Sequence, residues 1–479
     1  MKLVQCAKSL RLFQSSKGLT NYKIWENVGK SLSMSNQCWK KDEKTEKGKS
    51  EYYLPQLETP CYKEFTQTEN GGTQSNFKGL ETDFPCLTRN KTTGPEPDYQ
   101  NVTEGFKVFT STEPFHMRYN NGILPELKIA YETWGTLNET KSNAVLVMAG
   151  LSASSHAKSH KDNPLPGWWE KFVGPGCAID TNEFFVICTN NLGGCYGSSG
   201  PSTINPLTNK RYATTFPIVS IVDMAKAQFL LLDFLGIERL HASVGSSLGG
   251  MLSLMSAALY PERMGRFVSI SSCASSHPSS IAIRYLQRKC IMSDPNWNKG
   301  YYYDKPGGYP KVGMKLAREL ATMTYRSGPE WDLRFGRGFI EENENVSLCP
   351  TFTIESYIEY QGETFSTKFD PNSLLYISKA MDLFNIGEEY KNTEEAFKRI
   401  QCPAMILGVQ SDILFPIWQQ RELYQLLQKS GNPAVTFYEL NSIYGHDTFL
   451  LDLNGVGAAV KGFLETNLKQ YGWNTKHQL

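Results

Sequence analysis

Residues Ala242–Met251 read ASVGSSLGGM. Two serines stand side by side between glycines, and the frame G-x-S-x-G fits only if Ser247 is central: Gly245-Ser246-Ser247-Leu248-Gly249. Upstream, RLHASVG reads as a short strand. Downstream, GGMLSLMSAALY reads as a helix stopped by Pro261. A serine on a sharp strand-to-helix turn needs small neighbours on both sides, and its hydroxyl then projects above the sheet edge. The helix that follows points its N-terminus at the same place, which favours developing negative charge. Taken alone, the pentapeptide reads equally well as a small-residue turn. Ser246 reads as a small neighbour rather than a second nucleophile.

A serine hydroxyl is a poor nucleophile and needs a base, which in turn needs an orienting acid. On a strand–turn–helix scaffold of this kind the chain order is serine, acid, histidine. Asp412 lies in GVQSDILFP, at the end of the strand-like AMILGVQ; His446 lies in YGHDTFLLD, after the strand-like VTFYELN. Both therefore fall at the sheet edge expected for Ser247, in the required order. The remaining histidines fit less well. His116 and His156 precede the serine, His241 lies in the strand leading to it, His277 comes before any candidate acid, and His477 is in the terminal tail. The plain alternatives are a loop histidine at 446 and a turn residue at 412. An oxyanion hole needs two backbone N–H groups. Leu248, directly after the serine, supplies one; Leu151, in the loop after AVLVMAG, is the candidate for the other.

Working outward, β-rich apolar runs alternate with helical patterns from Phe106 onward. LKIAYETWG, NAVLVMAG, FFVICTNN and FVSISS read as strands, IVSIVDMAKAQFLLLDFLGI as a helix, and GVGAAVKGFLETNL as a closing helix. The alternation predicts an α/β fold, a mainly parallel sheet with helices on both faces. Residues 276–395 break it. They are rich in Tyr, Arg, Gly, Met and Trp, with helical pieces and no obvious buried strand, and are expected to form a helical lid over the C-terminal sheet edge, where α/β sheets bind ligands. The core is expected over 105–275 and 396–479. Residues 35–104 read as a polar extension of little regular structure.

Composition excludes several classes. With 49 basic and 48 acidic side chains the formal charge is +1, so no nucleic-acid footprint is present. No apolar run reaches the ~18 residues of a membrane span. The 11 cysteines are scattered and contain no C-x-x-C pair, which argues for reduced structural thiols and against a zinc site or disulfide scaffold. Neither a metal nor a redox cofactor is indicated. Residues 1–34 open with Lys2, Lys8, Arg11, Lys17 and Lys23 and no acid before Glu26. That profile is expected of a mitochondrial transit peptide, the alternative being the basic tail of a cytoplasmic protein.

Further motifs occur in order: NNLGGCYGSSGPSTINP (190–206), QRKCIMSDPNW, GMKLARELATMTY, SDILFP and GHDTFLLD. Over roughly 105–470 the chain resembles the homoserine O-acetyltransferase family of α/β-hydrolase-fold enzymes, which includes serine O-acyltransferases. The resemblance implies an α/β-hydrolase fold with Ser247 as nucleophile, Asp412 as acid and His446 as base. It further implies that Asp447 holds the substrate amino group and that Arg318 and Tyr325 hold the substrate near its carboxylate. It implies acyl-CoA, acetyl or succinyl, as co-substrate, an amino-acid acceptor, a ping-pong cycle through an acyl-serine, and a homodimer. A cation and an anion in one pocket suit a zwitterionic acceptor, whose hydroxyl they would place beside His446 ahead of water.

Departures from the family pattern bear on substrate. Where many members read L-T-G-D-S-H this chain reads Leu151-Ser152-Ala153-Ser154-Ser155-His156, and G-G-S-M-G-G is here Gly245-Ser246-Ser247-Leu248-Gly249-Gly250. Both changes bear against homoserine and acetyl, and the long N-terminal extension with the GLSASSHA loop resembles the fungal serine-directed branch. L-serine, on the route to cysteine, is therefore favoured over L-homoserine, on the route to methionine. The rivals are an esterase that uses water as acceptor and a non-catalytic binding protein of the same fold. The latter class usually loses a member of the triad, and all three candidates are kept here.

Overall fold

The computed structural model describes residues 104–340, 348 and 350–467. The transit peptide expected over 1–34, and all but the last residue of the extension expected over 35–104, lie outside the described residues.

Eight strands form the main sheet: β1 (Lys107–Ser111), β2 (Leu127–Trp134), β3 (Ala144–Met148), β4 (Phe185–Thr189), β5 (Ala242–Ser246), β6 (Phe267–Ile270), β7 (Ala404–Val409) and β8 (Val435–Leu440). Their spatial order is β1-β2-β4-β3-β5-β6-β7-β8. Only β2 runs antiparallel to its neighbours, β1 and β4; every other pairing is parallel. This is an α/β-hydrolase sheet, mainly parallel as the alternation of runs predicts.

The apolar strands are continuous because both faces of the sheet are covered. In β3, Leu146 and Met148 pack into one core while Val145 and Val147 pack into the other. In β7, Ile406 and Met405 divide the same way. That period of two is the pleat itself. Each such side chain contributes about 1.5–3 kcal/mol by leaving water.

Helices α1 (Ile221–Phe234) and α2 (Leu248–Leu259) follow β4 and β5. The apolar pattern ahead of α1 begins at Ile218, but the helix starts at Ile221. Ser220 Oγ accepts the Asp223 N–H, and the Asp223 carboxylate accepts the Ser220 N–H at 2.9 Å, a reciprocal cap that fixes the start.

Between β6 and β7 lie α3 (Pro278–Ser293), α4 (Lys311–Tyr325), α5 (Gly328–Arg334), α6 (Thr353–Ser366), α7 (Pro371–Asp382) and α8 (Thr393–Arg399). Then come α9 (Ile417–Lys429) and α10 (Ala458–Glu465). The closing helix departs from its sequence pattern at the start. Leu453–Gly457 forms a π turn, and regular α-helix begins only at Ala458. Asp452 draws the chain aside there by accepting the Gly455 N–H at 2.7 Å. No helix among the described residues is long and apolar enough to cross a membrane.

Candidate active site

Ser247 lies between β5 and α2, as the N-cap of α2, with φ 56° and ψ −120°. A non-glycine residue at positive φ is strained and persists only where its surroundings enforce it. Here the Ser247 N–H is tied to Ile270 O on β6 at 2.9 Å, and its carbonyl accepts the Gly250 and Met251 N–H groups. Two glycines make the turn sterically feasible. A Cβ on Gly245 would lie 2.1 Å from Gly249 O, and one on Gly249 would lie 2.1 Å from Met148 O. The start of α2 therefore abuts the end of β3, three residues before Leu151.

Among the described residues, neither the Leu248 N–H nor the Leu151 N–H donates a hydrogen bond. These free donors, one at the start of α2 and one in the loop after β3, are the candidates for holding an oxyanion. The Leu151 loop is fixed from both sides. Asn191 Nδ2 donates to Gly150 O at 2.9 Å, and Trp168 Nε1 donates to Ser154 O at 3.0 Å.

Asp412 follows β7, and His446 follows β8 in a short 3-10 turn. Their contact is close: His446 Nδ1 lies 2.7 Å from Asp412 Oδ2. The other oxygen, Oδ1, accepts the Leu414 and Phe415 N–H groups at 2.9 and 2.8 Å. His446 is buried and packed by Phe415 and Phe449, with ring centroids at 5.3 and 5.4 Å. Burial disfavours its charged form, yet Asp412, and after it Asp447, lift it above the ordinary histidine range. Ser247 Oγ makes no hydrogen bond with a described residue, so the structure pairs the candidate base with the candidate acid but not the candidate nucleophile with the base.

Four other histidines, His156, His160, His241 and His277, are otherwise engaged. His241 is pushed down to about 4 by burial and by Arg266, and its Nε2 lies 2.9 Å from Leu464 O. His277 caps α3. His156 has acceptors at both ring nitrogens, Glu132 Oε2 at Nδ1 and Leu165 O at Nε2, each at 2.7 Å. Both contacts are satisfied together when both ring nitrogens carry protons, so the site favours the imidazolium. Burial opposes that charge, but Glu132 holds it above the ordinary range.

His160 Nε2 reaches the same Glu132 oxygen at 2.7 Å, and Ser155 Oγ donates to the other at 2.7 Å. Glu132, His156 and His160 bring one possible metal-ligand atom each within 4.8 Å of one another. The contacts they make are hydrogen bonds, and with both nitrogens of His156 facing acceptors this donor set fits protons better than a metal. Its effect is to pin residues 155–160 to β2, just beyond the Leu151 loop.

Arg318 and Tyr325 share α4. The Arg318 guanidinium stacks over the Tyr325 ring at 4.9 Å and over Phe365 at 4.3 Å, and its buried Nε has no hydrogen-bond partner among the described residues. The Tyr325 ring lies 6.4 Å from that of His446. Burial pushes the Tyr325 phenol up, against the pull of Arg318. Asp447 is also pushed up by burial, an effect opposed by Arg326, His446 and Arg318 in that order. Thus the structure brings Arg318, Tyr325 and Asp447 to the His446 loop. It also adds a residue that no motif marks: Arg326 Nε lies 3.3 Å from Asp447 Oδ2.

A second cluster lies at the start of the helical region. Arg284 Nε lies 2.6 Å from Asp382 Oδ1, and Arg288 takes the other oxygen of the same carboxylate. Arg284 Nη2 donates to Ser276 Oγ at 2.9 Å, while its Nη1 is buried with no partner among the described residues. Ser276 belongs to the loop after β6, the strand next to β5, which leads into Ser247. Two buried guanidinium groups thus share one carboxylate. Only fold-level contact joins these residues, and nothing in the linear pattern singles out Arg284, Arg326 or Glu132.

The α/β hydrolase fold family model matches residues 143–453. The chain is 48% identical over 457 residues to a serine O-succinyltransferase of Emericella nidulans, covering 80% of this chain and 87% of that one. It is 40% identical over 344 residues to a homoserine O-acetyltransferase of Moorella thermoacetica, covering 71% and 91%. The solved homoserine O-acetyltransferase of Bacillus anthracis superposes with a TM-score of 0.70 at 29% identity, covering 76% of this chain and 98% of that one.

Proposed function

The chain belongs to the α/β-hydrolase-fold family of serine and homoserine O-acyltransferases, and from that membership we propose that it transfers a succinyl group from succinyl-CoA to the hydroxyl of L-serine. The observation that carries this reading is the charge pattern around His446. Asp447 and Arg318, an anion and a cation, flank an imidazole already paired with Asp412. Opposite charges beside a base suit a zwitterionic amino acid and serve no purpose for water.

In the cycle, His446 Nε2 takes the proton of Ser247 as Oγ attacks the thioester carbonyl. The negative oxygen is received by the Leu248 and Leu151 N–H groups. Collapse breaks the C–S bond, His446 returns the proton to sulfur, and CoA-SH leaves. Asp447 then holds the ammonium of L-serine, and Arg318 with Tyr325 its carboxylate. The hydroxyl gives its proton to His446, attacks the acyl-Ser247 ester, and expels Oγ, which regains the proton. No metal or prosthetic group takes part in these steps.

The donor is read from Arg284. Burying a charge is costly unless it is paired, and here two guanidinium groups share one carboxylate. The distal carboxylate of a succinyl group would supply the missing anion, one strand over from Ser247, whereas an acetyl group has none to offer. A helical lid over the sheet edge would exclude water from the acyl-enzyme. A homodimer is part of the same reading, and the exposed stripe Leu316, Leu320 and Met323 on α4 is a surface available to it.

The test is a matrix of succinyl-CoA and acetyl-CoA against L-serine, L-homoserine and water alone, read by mass spectrometry. The proposal expects O-succinylserine as the dominant product. CoA release that no amino acid accelerates would favour an esterase instead.

A further inference from the structure

Arg326 stands at the junction of α4 and α5, outside every motif, and makes two ion pairs. Its Nε lies 3.3 Å from Asp447 Oδ2, and its Nη1 lies 2.8 Å from Glu330 Oε1. Glu330 is itself buried, and Arg334 approaches the same oxygen at 3.4 Å. The backbone around Arg326 is seated directly on the histidine loop. Gly445 has φ 59°, and a Cβ there would lie 2.8 Å from Tyr325 O, 2.9 Å from Arg326 C and 3.0 Å from Ser327 N. Ser327 Oγ donates to Ile443 O. Arg326 is therefore held against the loop that carries His446, and its guanidinium is aimed by Glu330.

We propose that Arg326 is a positioning residue of the active site, which fixes the Asp447 carboxylate and balances its charge beside the base His446. The proposal rests on the reading of His446 as base and Asp447 as a substrate-binding group, and goes beyond it. His446 has two carboxylates near it, Asp412 and Asp447, and the aromatic rings of Tyr325, Phe415 and Phe449. Asp447 faces Arg326, Arg318 and His446, with Asp412 beyond.

Asp412 orients the imidazole, so its charge is needed there. Asp447 has another task, and an unbalanced charge on it would hold the proton on His446 and disable the base. Arg326 meets one Asp447 oxygen and leaves the other for the ammonium of the acceptor. The second carboxylate can then serve the substrate without trapping the base in its acid form.

The experiment is the pH profile of kcat/KM for acylation by p-nitrophenyl acetate, which needs Ser247 and His446 but no amino acid. In Arg326→Gln the acid limb should move up by about one pH unit, the shift of a nearby uncompensated charge. In Arg326→Gln/Asp447→Asn it should return to the wild-type position. A limb that stays in place in the single variant, or fails to return in the double, overturns the proposal.

Should Arg326→Gln not fold, Asp447→Asn alone decides the matter. A balanced carboxylate gives a small downward shift on removal, and a drop of about one unit would mean that Arg326 was not balancing it. Because the ester assay is independent of the acceptor, a wild-type enzyme inactive toward L-serine would sink the proposed function without touching this result.

Discussion

His446 Nδ1 lies 2.7 Å from Asp412 Oδ2, while Asp412 Oδ1 is held by the N–H groups of Leu414 and Phe415. The carboxylate is thus locked in place and favours the proton on Nδ1, leaving Nε2 free for the proposed role of base. Asp412→Asn would keep the shape but can present an N–H where an acceptor is needed, turning the ring to the wrong tautomer. We predict a fall in kcat of roughly 10³–10⁴ with little change in KM, measured by steady-state CoA release.

The pH dependence follows from the same pair. Burial works against the imidazolium, but Asp412 and Asp447 outweigh it, so His446 titrates above the ordinary 6.5. The base acts only when neutral. Activity should therefore fall as pH drops through that raised value, with the acid limb of kcat/KM lying above 6.5. A limb below 6.5 in a pH–rate profile would contradict this account of the site's electrostatics.

In the proposed function the donor preference falls to Arg284. Arg284→Leu leaves Asp382 paired with Arg288, so the cluster loses a charge without stranding one. A hydrogen bond to a charged group contributes about 1.5–3 kcal/mol, so KM for succinyl-CoA should rise roughly 10–100-fold. Acetyl-CoA turnover should be retained. Equal losses for the two donors would remove Arg284 from the acyl pocket.

The Glu132–His156 pair makes a stability prediction with a definite sign. His156 is raised in the folded protein, so its contribution is fully present below the unfolded value near 6.5. That contribution is lost as pH rises through the folded value. Glu132→Gln removes the partner and should destabilise by about 1–3 kcal/mol at acidic pH, with the gap to wild type narrowing at alkaline pH. Denaturant melts of both proteins across pH check this.

Much of this is written in local sequence. Strand β3 is legible because AVLVM is apolar throughout, the mark of a strand covered on both faces. Ser247 is legible because its turn demands Gly245 and Gly249. Asp412 and His446 follow from chain order and from lying just past strand-like runs. What sequence does not disclose is charge pairing across the fold. Arg284 meets Asp382 from 98 residues away, and Arg326 meets Asp447 only because its turn rests on Gly445. No periodicity encodes such contacts. The closing helix fails for a smaller reason: the Asp452 side chain competes with helical hydrogen bonding at Gly455.

The central claim is that Ser247 carries the acyl group between thioester and amino acid. The direct measurement is mass spectrometry of the protein mixed with succinyl-CoA alone, then chased with L-serine. The account predicts one succinyl group on the peptide containing Ser247, absent in Ser247→Ala, and its discharge by L-serine as O-succinylserine. Product formation at undiminished rate in Ser247→Ala, or a succinyl adduct on Ser247 that L-serine does not discharge, would contradict it.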